Sequence, residues 1–130
     1  MNSNSNLELK TMAALASRRP TRTVKAGQVI FRDGDPGDCL YGVVSGEIEL
    51  SSGGVPVEMI GPGSCFGATA LLEADHCRFG EATAVTDAEL LEMNREEFLF
   101  AMQELPMFGL EMLHHLEERL KQLKFRVAEF

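Results

Sequence analysis

Between Val24 and Met93, glycines and prolines cut the apolar residues into short runs, and this spacing restricts the chain more than any other feature. The runs are Val29-Ile30-Phe31, Leu40 to Val44, Ile48 to Leu50 and Val55 to Ile60. They are rich in β-branched residues and too short for packed helices, so each predicts a strand. The joints between them are turns. Asp33-Gly34-Asp35-Pro36-Gly37-Asp38 predicts a tight loop, because glycine reaches positive φ at little cost and proline sets its own. Ser51-Ser52-Gly53-Gly54 predicts a hairpin turn, and Gly61-Pro62-Gly63 a further turn. Strand signals return at Ala82 to Val85 and Glu89 to Met93. Many short strands at regular spacing predict a sandwich, barrel or roll.

The flanks have a helical texture. Asn6 or Ser5 is placed to cap a short helix from Leu7 to about Ser17, with Leu7, Met12, Leu15 and Ala16 on one face and Pro20 ending it. After Met93, Asn94 predicts an N-cap, with Glu96 and Glu97 in the first turn where the helix dipole favours them. That helix is expected to stop near Leu105-Pro106, and a second to run from Met107 to about Glu129. Leu113, Leu116, Leu120, Leu123 and Val127 recur at alternating steps of three and four, a heptad seam. Such a seam packs either on its own β-structure or against a second copy, and the homodimer is the expectation carried forward. The fold class expected is mainly β: an antiparallel β-roll (double-stranded β-helix or jelly roll) flanked by one N-terminal and two C-terminal helices. A single domain over 1–130 divides into a helix (1–20), the roll (21–93) and the terminal helices (94–130).

Composition bears mainly on partners. The formal net charge of −8 disfavours direct contact with nucleic acid, which needs a basic face to displace counterions. Arg18, Arg19, Arg22 and Lys25 are the nearest approach to one, and are read as solvated. No apolar stretch approaches the roughly 20 residues that span a membrane, and the polar Met1 to Asn6 do not begin a secretory signal. Three cysteines, Cys39, Cys65 and Cys77, without C-x-x-C spacing, predict free buried thiols in a reducing, cytoplasmic compartment. No catalytic or metal residues are assigned. The histidines are His76, His114 and His115, and the adjacent pair on a helix point about 100° apart. There is no Gly-x-Ser-x-Gly elbow and no phosphate-binding Walker loop. Glu96-Glu97 and Glu117-Glu118 are read as solvated helix faces rather than catalytic carboxylates, so the chain is not expected to be an enzyme.

Three stretches carry a resemblance: Lys25 to Phe31 with the loop Gly34 to Asp38; Leu40-Tyr41-Gly42-Val43-Val44-Ser45-Gly46-Glu47-Ile48-Glu49-Leu50; and Gly61-Pro62-Gly63-Ser64-Cys65-Phe66-Gly67. In this order of glycine, aromatic and strand positions the chain resembles the cyclic-nucleotide-binding domains of bacterial catabolite activator proteins and of eukaryotic cyclic-nucleotide-dependent kinases. The resemblance implies that the ligand, cAMP or cGMP, sits on the cassette Phe66-Gly67-Ala68-Thr69-Ala70-Leu71-Leu72, followed after a loop by Arg78. Gly67 lets backbone approach a ligand, and a helix starting there aims N–H groups at an anion. Arg78 is suited to a charge-assisted phosphate contact, the alternative being a surface salt bridge with Glu73 or Asp75.

The sequence departs from the family pattern at three places. Ala68 stands where the family has a glutamate that holds the ribose 2′-hydroxyl. Phe79 follows the arginine in place of a small residue, to stack on a base or fill the pocket. Leu123 and Lys124 align with the Thr-Ser pair that reads adenine from the last helix, as a base-side lid. The resemblance implies a regulatory sensor in which phosphate draws the cassette inward and the segment from Glu96 to Glu129 moves. The alternative is a ligand-free dimerisation or protein-interaction module, or the sensor part of a transcription regulator, since a helix-turn-helix would begin where the chain stops at Phe130. The partners expected are the cyclic nucleotide, a second copy and a protein that receives the signal.

Overall fold

The computed structural model describes residues 20–128. The expected helix over Leu7 to Ser17, with Arg18 and Arg19, lies outside the described residues. From Arg22 to Asn94 the chain is built of strands: β1 (Arg22–Val24), β2 (Val29–Phe31), β3 (Cys39–Ser45), β4 (Ile48–Ser52), β5 (Val55–Ile60), β6 (Cys65–Phe66), β7 (Glu81–Ala84) and β8 (Ala88–Asn94). A single helical turn, α1 (Thr69–Leu72), interrupts them between β6 and β7, and two longer helices close the fold: α2 (Arg95–Glu104) and α3 (Pro106–Ala128).

The strands form two antiparallel four-stranded sheets, in the orders β1-β8-β3-β6 and β2-β7-β4-β5. Strands adjacent in one sheet are distant in sequence, as in β1 against β8 and β2 against β7, so the chain winds back on itself as a roll. The β4–β5 hairpin turns through Gly53 and Gly54, both at positive φ (59° and 81°), the requirement of a turn that matches strand twist.

Every strand contributes to the core between the sheets. Val24, Phe31, Tyr41, Val43, Ile48, Ile60, Phe66, Ala82 and Leu90 are buried there together. The opposite face of the first sheet is buried too. Leu40, Cys65, Leu91 and Met93 pack with Leu71 of α1, Ala101 of α2, and Phe108 and Met112 of α3. Burial on both faces explains why β3 reads as an apolar run rather than an alternating strand. β5 is an edge strand and carries Pro56, which an edge tolerates because proline has no N–H for a ladder.

The helix starts follow their signals. The Asn94 side chain accepts from the Glu97 N–H at 2.8 Å, and Glu97 accepts from the Asn94 N–H at 2.9 Å, a complete capping box. Glu97 is therefore a cap and not simply a solvated carboxylate.

One expectation needs correction, that of three buried thiols. The leucine seam leaves Leu113, Leu116 and Leu120 of α3 exposed and is not the main stripe that packs on the roll. The main stripe is Phe108, Met112, His115 and Arg119, at the same spacing but half polar. The side chain of Val127 lies outside the described residues. Cys39 and Cys65 are buried, whereas Cys77 is only half-buried; all three are free. Arg22 and Lys25 form no basic patch, as they lie 3.1 Å from Glu92 and 3.9 Å from Asp87.

Candidate functional site

The largest structural surprise is where Arg78 goes. Its residue is only 5% exposed, and the guanidinium lies 4.6 Å from the centre of the Phe31 ring and 5.3 Å from that of Tyr41. Nη1 donates to the carbonyls of Cys39 (2.7 Å) and Gly67 (2.8 Å), and Nη2 lies 3.6 Å from the Cys39 sulfur. Among the described residues Arg78 has no carboxylate partner, so the expected alternative of a salt bridge with Glu73 or Asp75 is not formed. Burying a cation among neutral groups is costly unless an anion offsets it.

Two glycines make room for this group. A Cβ on Gly37 would fall on the Arg78 guanidinium. One on Gly67, whose φ is +85°, would lie 2.9 Å from Nη1. The role of Gly37 was not read from sequence; the loop Asp33 to Asp38 looked like turn chemistry alone. It is also a clamp: the Gly34 N–H donates to the Arg78 carbonyl, the Arg78 N–H to the Asp35 carbonyl, and the Gly37 N–H to the His76 carbonyl.

The neighbouring ring responds to the same burial. Desolvation, with a hydrogen bond and charge interaction from Cys39, pushes the Tyr41 hydroxyl up to about 12 against the pull of Arg78 and Arg22. Phe31, Tyr41 and Phe66 stack with centroids 5.2–6.3 Å apart.

Above this cation opens a cavity of about 390 Å³. Gly67, Ala68 and Thr69 form part of its wall, with Arg78, the rim residue Phe79, and Met112, Leu116, Arg119 and Leu123 from α3. Ala70 is buried behind the wall. The structure thus brings together most of the residues predicted from the cassette. Phe79 does not fill the space; it is 77% exposed. Leu123 reaches the cavity, but Lys124 is exposed and does not line it.

α1 is coupled to the terminal helices. Arg95 Nη1 at the start of α2 donates to the Leu71 carbonyl at 2.7 Å. Leu71 and Ala68 share an apolar cluster with Phe98, Ala101 and Phe108. His76, at a positive φ of 54°, places Nδ1 3.0 Å from the Ala70 carbonyl and so ties the loop before Arg78 to the same turn.

Sequence reasoning missed the polar part of the wall. Glu58 of β5 and Arg119 of α3 pair through two bonds, Nε–Oε2 at 2.7 Å and Nη2–Oε1 at 2.8 Å, while Arg119 Nη1 donates to the Cys65 carbonyl at 2.8 Å. Burial alone would lower the Arg119 pKa, but the hydrogen bond and charge of Glu58 outweigh it and raise it. One turn earlier, buried His115 places Nε2 3.1 Å from Ser64 Oγ. Burial pushes the adjacent Cys65 thiol up to about 11.

The chain belongs to the cyclic nucleotide-binding domain family, whose profile matches residues 21–104. It is 36% identical over 106 residues to the cyclic AMP receptor protein of Thermus thermophilus, covering 78% of this chain and 49% of the relative. Over 96 residues it is 35% identical to the cAMP-dependent protein kinase regulatory subunit of Emericella nidulans, covering 72% of this chain and 23% of that protein. The chain therefore spans at most about half the length of these relatives. The solved Thermus thermophilus catabolite activator protein superposes with a TM-score of 0.71 at 32% identity, over 91% of this chain and 58% of that one. A structure from work on a cyclic-GMP-dependent signalling pathway in bacterial phytopathogenesis gives a TM-score of 0.73 at 28% identity, over 94% and 95%. Among the described residues no helix is long and apolar enough to cross a membrane, and no cluster of His, Cys, Asp and Glu has the makings of a metal site.

Proposed function

We propose that the chain is a regulatory sensor domain that holds a cyclic nucleotide, cAMP or cGMP, in the cavity above Arg78 and signals through α2 and α3. The observation that carries this reading is the buried Arg78 guanidinium, which has neutral partners only and borders a cavity of ligand size. An anion there offsets a charge the fold has already buried. The Arg78 side chain and the backbone at Gly67, Ala68, Thr69 and Ala70 take the cyclic phosphate, and Phe79 at the rim covers the base. The family names of the relatives, a cAMP receptor and a cAMP-dependent regulatory subunit, support the ligand class. On this reading the chain binds and does not catalyse, and its free thiols suit a cytoplasmic setting.

Signalling follows the connections already described. Movement of α1 is passed to α2 through Arg95 and to α3 through the shared apolar cluster. The exposed Leu113, Leu116 and Leu120 support pairing of α3 with a second copy, which sedimentation of wild type against a Leu113→Glu, Leu120→Glu variant tests.

The deciding experiment is thermal unfolding with cAMP or cGMP, beside Arg78→Ala. Ligand at 100 times its dissociation constant stabilises by about 2.7 kcal/mol, on the order of ten degrees for a domain of this size. The expected result is a shift in wild type that disappears in Arg78→Ala. No shift with either nucleotide in wild type overturns the reading.

A further inference from the structure

Besides the hydroxyls of Ser51, Ser52 and Thr69, the wall of the cavity carries largely buried charged groups at two places. One is the Arg78 end. The other is the Glu58–Arg119 pair, whose side chains are 16% and 14% exposed. Glu81 also borders the cavity, but it is half-exposed and lies 3.7 Å from Arg32 on the surface. Glu58 is thus the one largely buried carboxylate on the wall among the described residues. The pair also borders a second cavity of about 220 Å³ behind it, so it forms the partition between the two.

We infer that Glu58, held by Arg119, is the hydroxyl acceptor of this site and makes it selective for a ribose over a deoxyribose ligand. The inference rests on the cyclic-nucleotide reading above. Ala68 offers only a methyl group to the cavity, so the cassette has no side-chain acceptor there. Arg119 bridges the Glu58 carboxylate to the Cys65 carbonyl, which sets the carboxylate beside the strand that leads directly into Gly67 and Ala68. In a cyclic nucleotide the 2′-hydroxyl is on the carbon next to the phosphate-bearing 3′ position, so a phosphate on the cassette brings that hydroxyl to the same neighbourhood.

The chemistry of the pair fits the role. Each Glu58 oxygen accepts one hydrogen bond from Arg119 and keeps a further lone-pair direction for a hydroxyl donor. Arg119 commits three N–H groups, two to Glu58 and one to Cys65, which locks the carboxylate in place and sets its oxygens for a hydrogen bond from a hydroxyl. Because Arg119 is on α3, a ligand held by Glu58 also bears on the helix through which the signal leaves.

Calorimetric titration of the purified chain with cAMP and cGMP, each beside its 2′-deoxy analogue, tests this. Wild type is expected to bind the ribose form at least about tenfold more tightly than the deoxy form. Glu58→Ala leaves Arg119 buried and unpaired, so Glu58→Met with Arg119→Met serves as the variant that keeps the wall packed. In it the two forms are expected to bind within about twofold, and adding Ala68→Glu is expected to restore the preference. Equal binding of both forms to wild type, or an unchanged preference in the double variant, overturns the assignment while leaving the cyclic-nucleotide reading intact. Binding of neither form to wild type overturns both together.

Discussion

Arg78 and Arg119 line one cavity and are held in opposite ways. Arg78 is buried against two aromatic rings and donates to neutral carbonyls. Arg119 is buried against a carboxylate that meets it with both oxygens. A paired charge is close to neutral toward its surroundings and acts as structure, whereas an unpaired one remains available to an anion. The cavity therefore has one end that is electrostatically complete and one that is not.

The first way to break this contrast is to make Arg119 resemble Arg78. Glu58→Ala leaves a buried guanidinium without its partner and is expected to lower stability by about 3 kcal/mol. Glu58→Met with Arg119→Met is expected to recover most of that loss. Chemical denaturation of both variants decides it, and equal losses in the two would show that packing rather than pairing sets the cost. A smaller effect is expected at the other end. Gly67→Ala forces a side chain into a positive-φ position and against Arg78 Nη1, with an expected loss of about 1–3 kcal/mol. It should also remove the ligand-dependent thermal shift; a retained shift would mean that the guanidinium can bind from elsewhere.

The most gradual effect, spread over several pH units, sharpens the comparison by pH. Each arginine has a weak acid beside it, Cys65 near Arg119 and Tyr41 near Arg78, and burial raises both, to about 11 and about 12. The folded chain holds these protons where the unfolded chain begins to lose them, at about pH 9 for a thiol and about pH 10 for a phenol. Stability is therefore expected to be unaffected by these groups below pH 9 and to fall above it, by at most about 1.4 kcal/mol per pH unit for each. Denaturation midpoints measured from pH 8 to 11 check this; Cys65→Ala should delay the fall by about one pH unit, and an identical profile would remove Cys65 from the account.

Much of the roll was legible because its signals are local. Val29–Phe31 and Val55–Ile60 have the predicted bounds, and Asn94 caps the helix it was expected to cap. β1 and β6 were missed for a physical reason: in β1 only Val24 is buried, and a strand of two residues has no period to detect. The last helix shows the limit more sharply. Its leucines drew attention to a face that is largely open apart from Leu116 and Leu123 at the cavity, while the face on the roll carries His115 and Arg119, and polar residues mark a buried face only when their distant partners, Ser64 and Glu58, are known. Within the site, Gly67 and Arg78 were legible from the cassette. Gly37 and Glu58 were not, because each acts on an arginine far away in sequence, and Glu58 does so from an edge strand of mixed exposure.

The space that two glycines leave for one guanidinium has a consequence for how this chain tolerates change. Gly37 and Gly67 are confined to a bare hydrogen by the size of residue 78, and residue 78 keeps its position only while both remain. The three positions are sterically coupled, so that a change at one bears on what the other two can hold. A lineage that lost the arginine would free Gly37 for any small side chain and Gly67 for those that accept its backbone angle, and each such replacement would bar the arginine's return.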